Sequence, residues 1–91
     1  MTVLYDQTIA ILERLVNQEG RRELVGDLAW IKAGRGDTLI ILGERARGLK
    51  EMRSAQRIQE AEIARTGRAD LTQVLTWITK VIHDESGSPL L

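Results

Sequence analysis

The sequence predicts an all-α protein of four helices, arranged as repeated antiparallel helix hairpins. Three observations predict it. Residues 20–37, GRRELVGDLAWIKAGRGD, return at residues 67–84 as GRADLTQVLTWITKVIHD, an offset of 47 positions. The matching pairs are Gly20/Gly67, Arg21/Arg68, Leu24/Leu71, Leu28/Leu75, Trp30/Trp77, Ile31/Ile78 and Asp37/Asp84. A fixed internal period is the mark of a repeated supersecondary unit. The composition is rich in Leu, Ile, Arg, Glu and Ala and has a single proline, Pro89, so intrinsic propensity leans to helix. Gly20, Gly43 and Gly67 fall at the ends of apolar periodic stretches, where a left-handed residue closes a helix.

The first helix is expected over residues 1–18. Leu4, Thr8, Ile11 and Leu15 form one stripe, and Tyr5, Ile9, Leu12 and Val16 form its neighbour. The combined apolar face is wider than a simple surface helix needs, which predicts contacts on two sides. Thr2 is placed to cap its start. The second helix is expected over residues 21–42, on Leu24, Leu28 and Ile31, flanked by Val25 and Trp30. Gly34 and Gly36 interrupt this stretch, and each costs roughly 1 kcal/mol inside a helix. A loop at 34–37 followed by a short strand at 38–42 is therefore one reading. The second copy, with Val81, Ile82, His83 and Asp84 at the matching places, favours a helix that runs through or kinks at the glycines.

Residues 44–66 give a third helix on Leu49, Met52, Ala55, Gln59 and Ile63, with Ile58 beside them. It is the least hydrophobic and most basic of the four. Residues 69–85 give the fourth, with a wide face of Leu71, Val74, Leu75, Ile78, Val81 and Ile82 and Trp77 alongside. Residues 1–86 thus form a single helical domain, with copies at about 1–47 and 48–91, and residues 87–91 are expected to be a frayed tail.

Composition bounds the function. Thirteen basic and thirteen acidic residues cancel, so bulk attraction to nucleic acid or to an acidic membrane is not the default. No Cys is present, which excludes disulfides, thiolate metal sites and a cysteine nucleophile, and is compatible with a reducing, cytoplasmic setting. The N-terminal residues carry Asp6, Glu13 and Arg14 and read as neither a signal peptide nor a membrane span.

The run Gly36, Leu39, Gly43, Gly48, Met52 and Ala55 spaces small and large residues as two closely crossing helices require. Tyr5 and Thr8 stand in the preceding half-unit where Met52 and Ala55 stand here. This pattern resembles the tetratricopeptide repeat, and the wording YDQTIAILERLV resembles its longer-period bacterial arrays. The resemblance implies a helical solenoid fragment that begins on a second helix and ends on a first. The period exceeds the common one of about 34 residues and also fits HEAT or armadillo repeats, so other solenoids stay open. A closed four-helix bundle, in which the same apolar faces meet within one chain, is the other architecture compatible with the pattern.

Candidate chemistry is sparse. His83 is the only histidine, and Asp84 and Glu85 do not share its helix face. Arg35-Gly36-Asp37 spells an adhesion tripeptide inside an expected helix, where solvent-facing charges at a kink explain it. Glu19, Glu23 and Asp27 follow one another at helical spacing and read as solvated acids answered by Arg22 and other bases. No phosphate loop, nucleophile elbow or metal-ligand set is found, and no catalytic residue, cofactor or metal is assigned.

The expected role is a non-enzymatic protein-interaction or assembly module whose partner is chiefly itself. Tyr5, Leu12, Trp30, Trp77 and Val81 are its apolar anchors. The alternative is a small helical nucleic-acid-binding or regulatory protein using Lys50, Arg53 and Arg57 on the third helix.

Overall fold

The structure is a computed structural model and describes residues 2–86. The expected frayed tail at 87–91 lies outside the described residues. Within them every regular element is helical: α1 (Val3–Asn17), α2 (Val25–Ile41), α3 (Arg45–Thr66) and α4 (Thr72–Glu85). Single 3-10 turns at Arg22–Leu24 and Ala69–Leu71 lead into α2 and α4.

The helices form a row. The hairpin of α2 and α3 is its centre, α1 packs on α2, and α4 packs on α3 with a lesser contact to α2. The Cα atoms of the described chain extend 40 × 31 × 15 Å, a flattened shape about two helix layers thick. The helices pack in chain order, α1 on α2, α2 on α3 and α3 on α4, and the fold is an all-α array of four helices among the described residues.

Glycine decides how closely the central hairpin packs. The helix α2 runs without interruption through Gly34 and Gly36, so the loop-and-strand reading of this stretch is excluded. A Cβ on Gly48 would lie 2.6 Å from the Gly36 carbonyl oxygen, and a Cβ on Gly36 would lie 2.8 Å from that of Gly48. The two backbones touch at this crossing. Gly34 serves another contact. A Cβ there would meet the Tyr5 ring at 2.9 Å, so its bare backbone seats α1.

Gly43 has φ of 89°. Around it the Gly43 N–H donates to the Ile40 carbonyl and the Glu44 N–H to that of Leu39, which closes α2 as a Schellman motif. The two other positive-φ glycines, Gly20 and Gly67, have nearly equal angles, 68° and 69°. Each is followed by an arginine, a 3-10 turn and an ion pair two residues long, Arg21–Glu23 and Arg68–Asp70. The two connectors differ in how they leave the preceding helix: α1 ends three residues before Gly20 on a right-handed Gln18 cap, whereas Gly67 caps α3 directly, and ψ is 74° at Arg21 but 102° at Arg68. Thr2 does stand at the N-cap of α1, but its hydroxyl donates to the Asp6 carboxylate instead of accepting from the backbone.

The core lies between α2, α3 and α4. Ala33, Met52, Ala55 and Ile78 are fully enclosed, with Ile40, Val74, Trp77, Val81 and Ile82 packed around them. Under α1, Ile9 and Val16 are buried, as are Val25 and Leu28 on α2. Among the described residues no helix is long and apolar enough to cross a membrane.

Candidate functional site

Besides Ile41 and Leu42 at the end of α2, 75% and 45% exposed, three surfaces carry side chains that the fold does not use up. The first is the outer face of α1. Of its two sequence stripes, the one with Ile9 and Val16 turns inward, and Tyr5 and Leu12 are half-buried beside them. The other stripe is left open: Leu4 is 79% exposed and Ile11 50%, with Val3 at 60% near them. Leu4, Tyr5, Thr8 and Ile31 line a shallow, mainly apolar hollow of about 290 Å³ between α1 and α2. The expectation of contacts on two sides of α1 is thus met on one side within the chain.

The fourth helix differs from what its composition suggested. Its wide apolar face is covered or half-covered by α3 and α2, and its outward positions Thr72, Gln73, Thr76, Thr79 and Lys80 are polar. The anchors named from sequence divide accordingly. Val81 and Trp77 pack against the core. Trp30 is half exposed and tilts onto Trp77, ring centroids 5.6 Å apart at 47°.

The second surface is the basic line of α3. Lys50, Arg53 and Arg57 are all exposed. The other α3 cations are engaged: Arg45 with the Glu85 carbonyl, Arg47 with Glu44, and Arg65 with Glu62. Among the described residues no ion pair holds Lys50, Arg53 or Arg57.

The third surface is a polar pocket of about 320 Å³ where the start of α2, the end of α3 and the start of α4 converge. Glu23, Asp27, Trp30, Arg68 and Asp70 line its sides, with Gln59 at its floor. Gln59 is fully enclosed, yet neither its Oε1 nor its Nε2 has a protein hydrogen-bond partner among the described residues. An enclosed, unpaired amide is costly, so such a group asks for an explanation. Arg68 holds Asp70 through two hydrogen bonds, of 2.7 and 3.3 Å, and Arg21 holds Glu23 at 2.7 Å. Asp27 forms no ion pair among the described residues.

Electrostatics elsewhere serve the frame. Arg35 of the adhesion-like tripeptide does not face solvent, which corrects that reading. It is half-buried and bridges three helices, donating to Asp6 on α1 at 2.9 Å and to Glu51 on α3. Burial opposes its charge, and the two carboxylates outweigh burial and raise its pKa. Glu62, 2% exposed, is gripped by Arg65 at 2.7 Å and approached by Arg22 at 3.5 Å. The Arg65 hydrogen bonds hold its carboxyl below the usual range although burial acts the other way. The acids Glu19, Glu23 and Asp27 do not share a helix face, because α2 begins only at Val25. His83 is half-buried on α4, its Nε2 enclosed without a protein partner among the described residues.

Sequence reasoning placed Gln59 in the apolar line of α3 and passed over it. The signal was there: a long polar side chain in a row otherwise made of Leu49, Met52, Ala55 and Ile63. Glu62 gave no such signal, since its enclosure depends on Arg22 arriving from the α1–α2 connector.

Comparison with family models, with curated proteins and with solved structures returned no match.

Proposed function

We propose that the chain is a non-enzymatic assembly module of tetratricopeptide-like helical repeats, and that it pairs with a second copy of itself through the open face of α1. One observation carries this reading: the exposure of Leu4 and Ile11, two turns apart on one side of a helix whose other side is buried, with Val3 also exposed at the helix start. Isolated exposed apolar residues are ordinary, but a row of them on one helix face marks an interaction surface.

The 47-residue correspondence supports the choice of occupant. Leu4, Thr8 and Ile11 match Glu51, Ala55 and Ile58 on α3. That side of α3 is where α2 docks, through Arg35 on Glu51 and the Gly36–Gly48 crossing. The open stripe of α1 thus stands where a neighbouring helix belongs. Head-to-tail stacking would bring α4 of another copy there, but the outward positions of α4 are polar. A two-fold pairing of α1 with α1 matches apolar face to apolar face, and is the self-complementary arrangement that closed dimers use. A cytoplasmic setting belongs to the same reading and rests only on the Cys-free composition.

Sedimentation velocity across a micromolar to millimolar dilution series tests this. The native chain is expected to shift from monomer to dimer, while Leu4→Asp and Ile11→Asp stay monomeric with unchanged helical circular dichroism. A native chain that remains monomeric throughout, or variants that dimerise as the native chain does, overturns the reading.

A second reading, binding to a nucleic-acid backbone, is favoured by the uncommitted charges of Lys50, Arg53 and Arg57. Duplex titrations at several salt concentrations decide it. Three phosphate contacts predict a slope of log affinity on log salt of about −2.7, reduced by roughly one with each Lys or Arg replaced.

A further inference from the structure

The geometry points to a specific ligand for the pocket over Gln59: the side chain of an arginine residue, presented on a peptide. The inference deepens the interaction reading above and rests on it, but it concerns a different face of the molecule from α1.

Four features define the ligand. Three carboxylates and one guanidinium line the pocket, so it favours a cation. Two of the three carboxylates are already held, Glu23 by Arg21 and Asp70 by Arg68; Asp27 feels the Arg68 charge but forms no ion pair among the described residues, which leaves its carboxylate to receive a cation. Trp30 presents a half-exposed indole on the same wall, its other contacts being made with Trp77. A planar guanidinium stacks on such a ring and donates in the plane to a carboxylate at the same time, which a compact ammonium cannot do. Gln59 supplies the fourth feature. Among the described residues its enclosed Oε1 meets no protein donor and its enclosed Nε2 no protein acceptor. An arginine residue brings both, guanidinium N–H groups for the oxygen and a backbone carbonyl for the nitrogen. The pocket volume of about 320 Å³ suits one side chain with its adjoining peptide group, at the small end of ligand sites.

The test uses Trp30 as reporter. In Trp77→Phe it is the only indole of the chain. N-acetyl-arginine amide, N-acetyl-lysine amide and N-acetyl-alanine amide are titrated at constant ionic strength. In parallel, the Gln59 side-chain amide is followed by nuclear magnetic resonance in the native chain, which keeps the test intact if Trp77→Phe does not fold. The expected result is a saturable response to the arginine amide, a clearly weaker one to the lysine amide and none to the alanine amide. Asp27→Asn should weaken arginine binding roughly tenfold, and Gln59→Leu by a similar factor. Equal responses to all three amides, or arginine binding unchanged in both Asp27→Asn and Gln59→Leu, overturns the proposal. Self-association does not enter these measurements, so a chain that fails to dimerise can still bind arginine, and the two readings fail separately.

Discussion

Replacing Gly48 by alanine should destabilise the fold, against the rule that alanine is the better helix residue. In an exposed helix the exchange is favourable by about 1 kcal/mol. Here the new methyl would sit 2.6 Å from the Gly36 carbonyl oxygen, 2.6 Å from Ile40 Cγ1 and 3.0 Å from the Ile40 nitrogen. Two of these neighbours are backbone atoms, so no rotamer change relieves the contact, and α2 and α3 must move apart. A gap of even half an ångström forfeits a quarter or more of each dispersion contact along the interface. Overpacking costs roughly 1–3 kcal/mol, and because backbone must move here the upper part of that range, roughly 2–3 kcal/mol, applies. After the helix gain is subtracted, a net loss of about 1–2 kcal/mol remains. In a domain of this size that lowers Tm by roughly 4–16 °C.

Urea and thermal unfolding followed by circular dichroism measure it. Two companions sharpen the test. Gly36→Ala meets the Gly48 carbonyl oxygen at 2.8 Å and should lose stability too. The double variant should lose less than the sum, because one separation relieves both contacts. Gly26→Ala meets only the Leu71 side chain, at 3.1 Å, and should be neutral or stabilising by up to about 1 kcal/mol. Equal or greater stability in Gly48→Ala would refute the claim that this crossing sets the helix spacing.

Three further outcomes are expected. Gln59→Met should raise stability by about 1 kcal/mol or more in urea unfolding, since it removes an enclosed amide without protein partners among the described residues; a loss would mean that the amide is satisfied. Glu62 has a folded pKa below its unfolded value, so its contribution is present above the usual glutamate range of about 4.3 and is lost as pH falls through the lower, folded value. Thermal unfolding from pH 6 to 2 should show a shallower acid decline in Glu62→Gln than in the native chain. Arg35→Met cuts the link from α2 to both α1 and α3, and should cost about 1–2 kcal/mol by urea unfolding, with Arg35→Lys recovering only part because it cannot serve two carboxylates with one planar group.

Much of this fold is legible in the order of residues. The left-handed positions Gly20, Gly43 and Gly67 could be read because such a residue has few substitutes; Gly43 and Gly67 follow the ends of α2 and α3 directly, whereas α1 already stops at Asn17 on a right-handed Gln18 cap and Gly20 turns the connector. The glycines of α2 could be read as a packing device only by setting them beside the second copy, which has no such residues. What sequence alone could not show was which face of each outer helix is covered. Apolar periodicity made α1 and α4 look alike, and the difference lies in the positions opposite: α4 has Thr72, Thr76 and Lys80 there, and α1 has Leu4 and Ile11. The pocket was illegible for a similar reason. Its residues come from three separate stretches of chain and meet only where the two 3-10 connectors flank the end of α3. Arg35 looked like a surface charge because its two carboxylates lie 29 and 16 residues away.

The enclosed core of Ala33, Met52, Ala55 and Ile78 lies between α2, α3 and α4, and α1 joins it only from the edge, through Ile9 and Val16. Each helix leans on its neighbours, and the two at the ends of the row have support mainly from one side. Stability in such an array is close to a sum over adjacent pairs, so opening proceeds from the ends inward. Amide hydrogens of α1 should therefore exchange with solvent by fraying of the edge helix, well below the energy of global unfolding. Those around Gly36 and Gly48 should exchange only when the whole row comes apart. Anything that covers the outer side of α1 would lengthen the row and slow exchange there first.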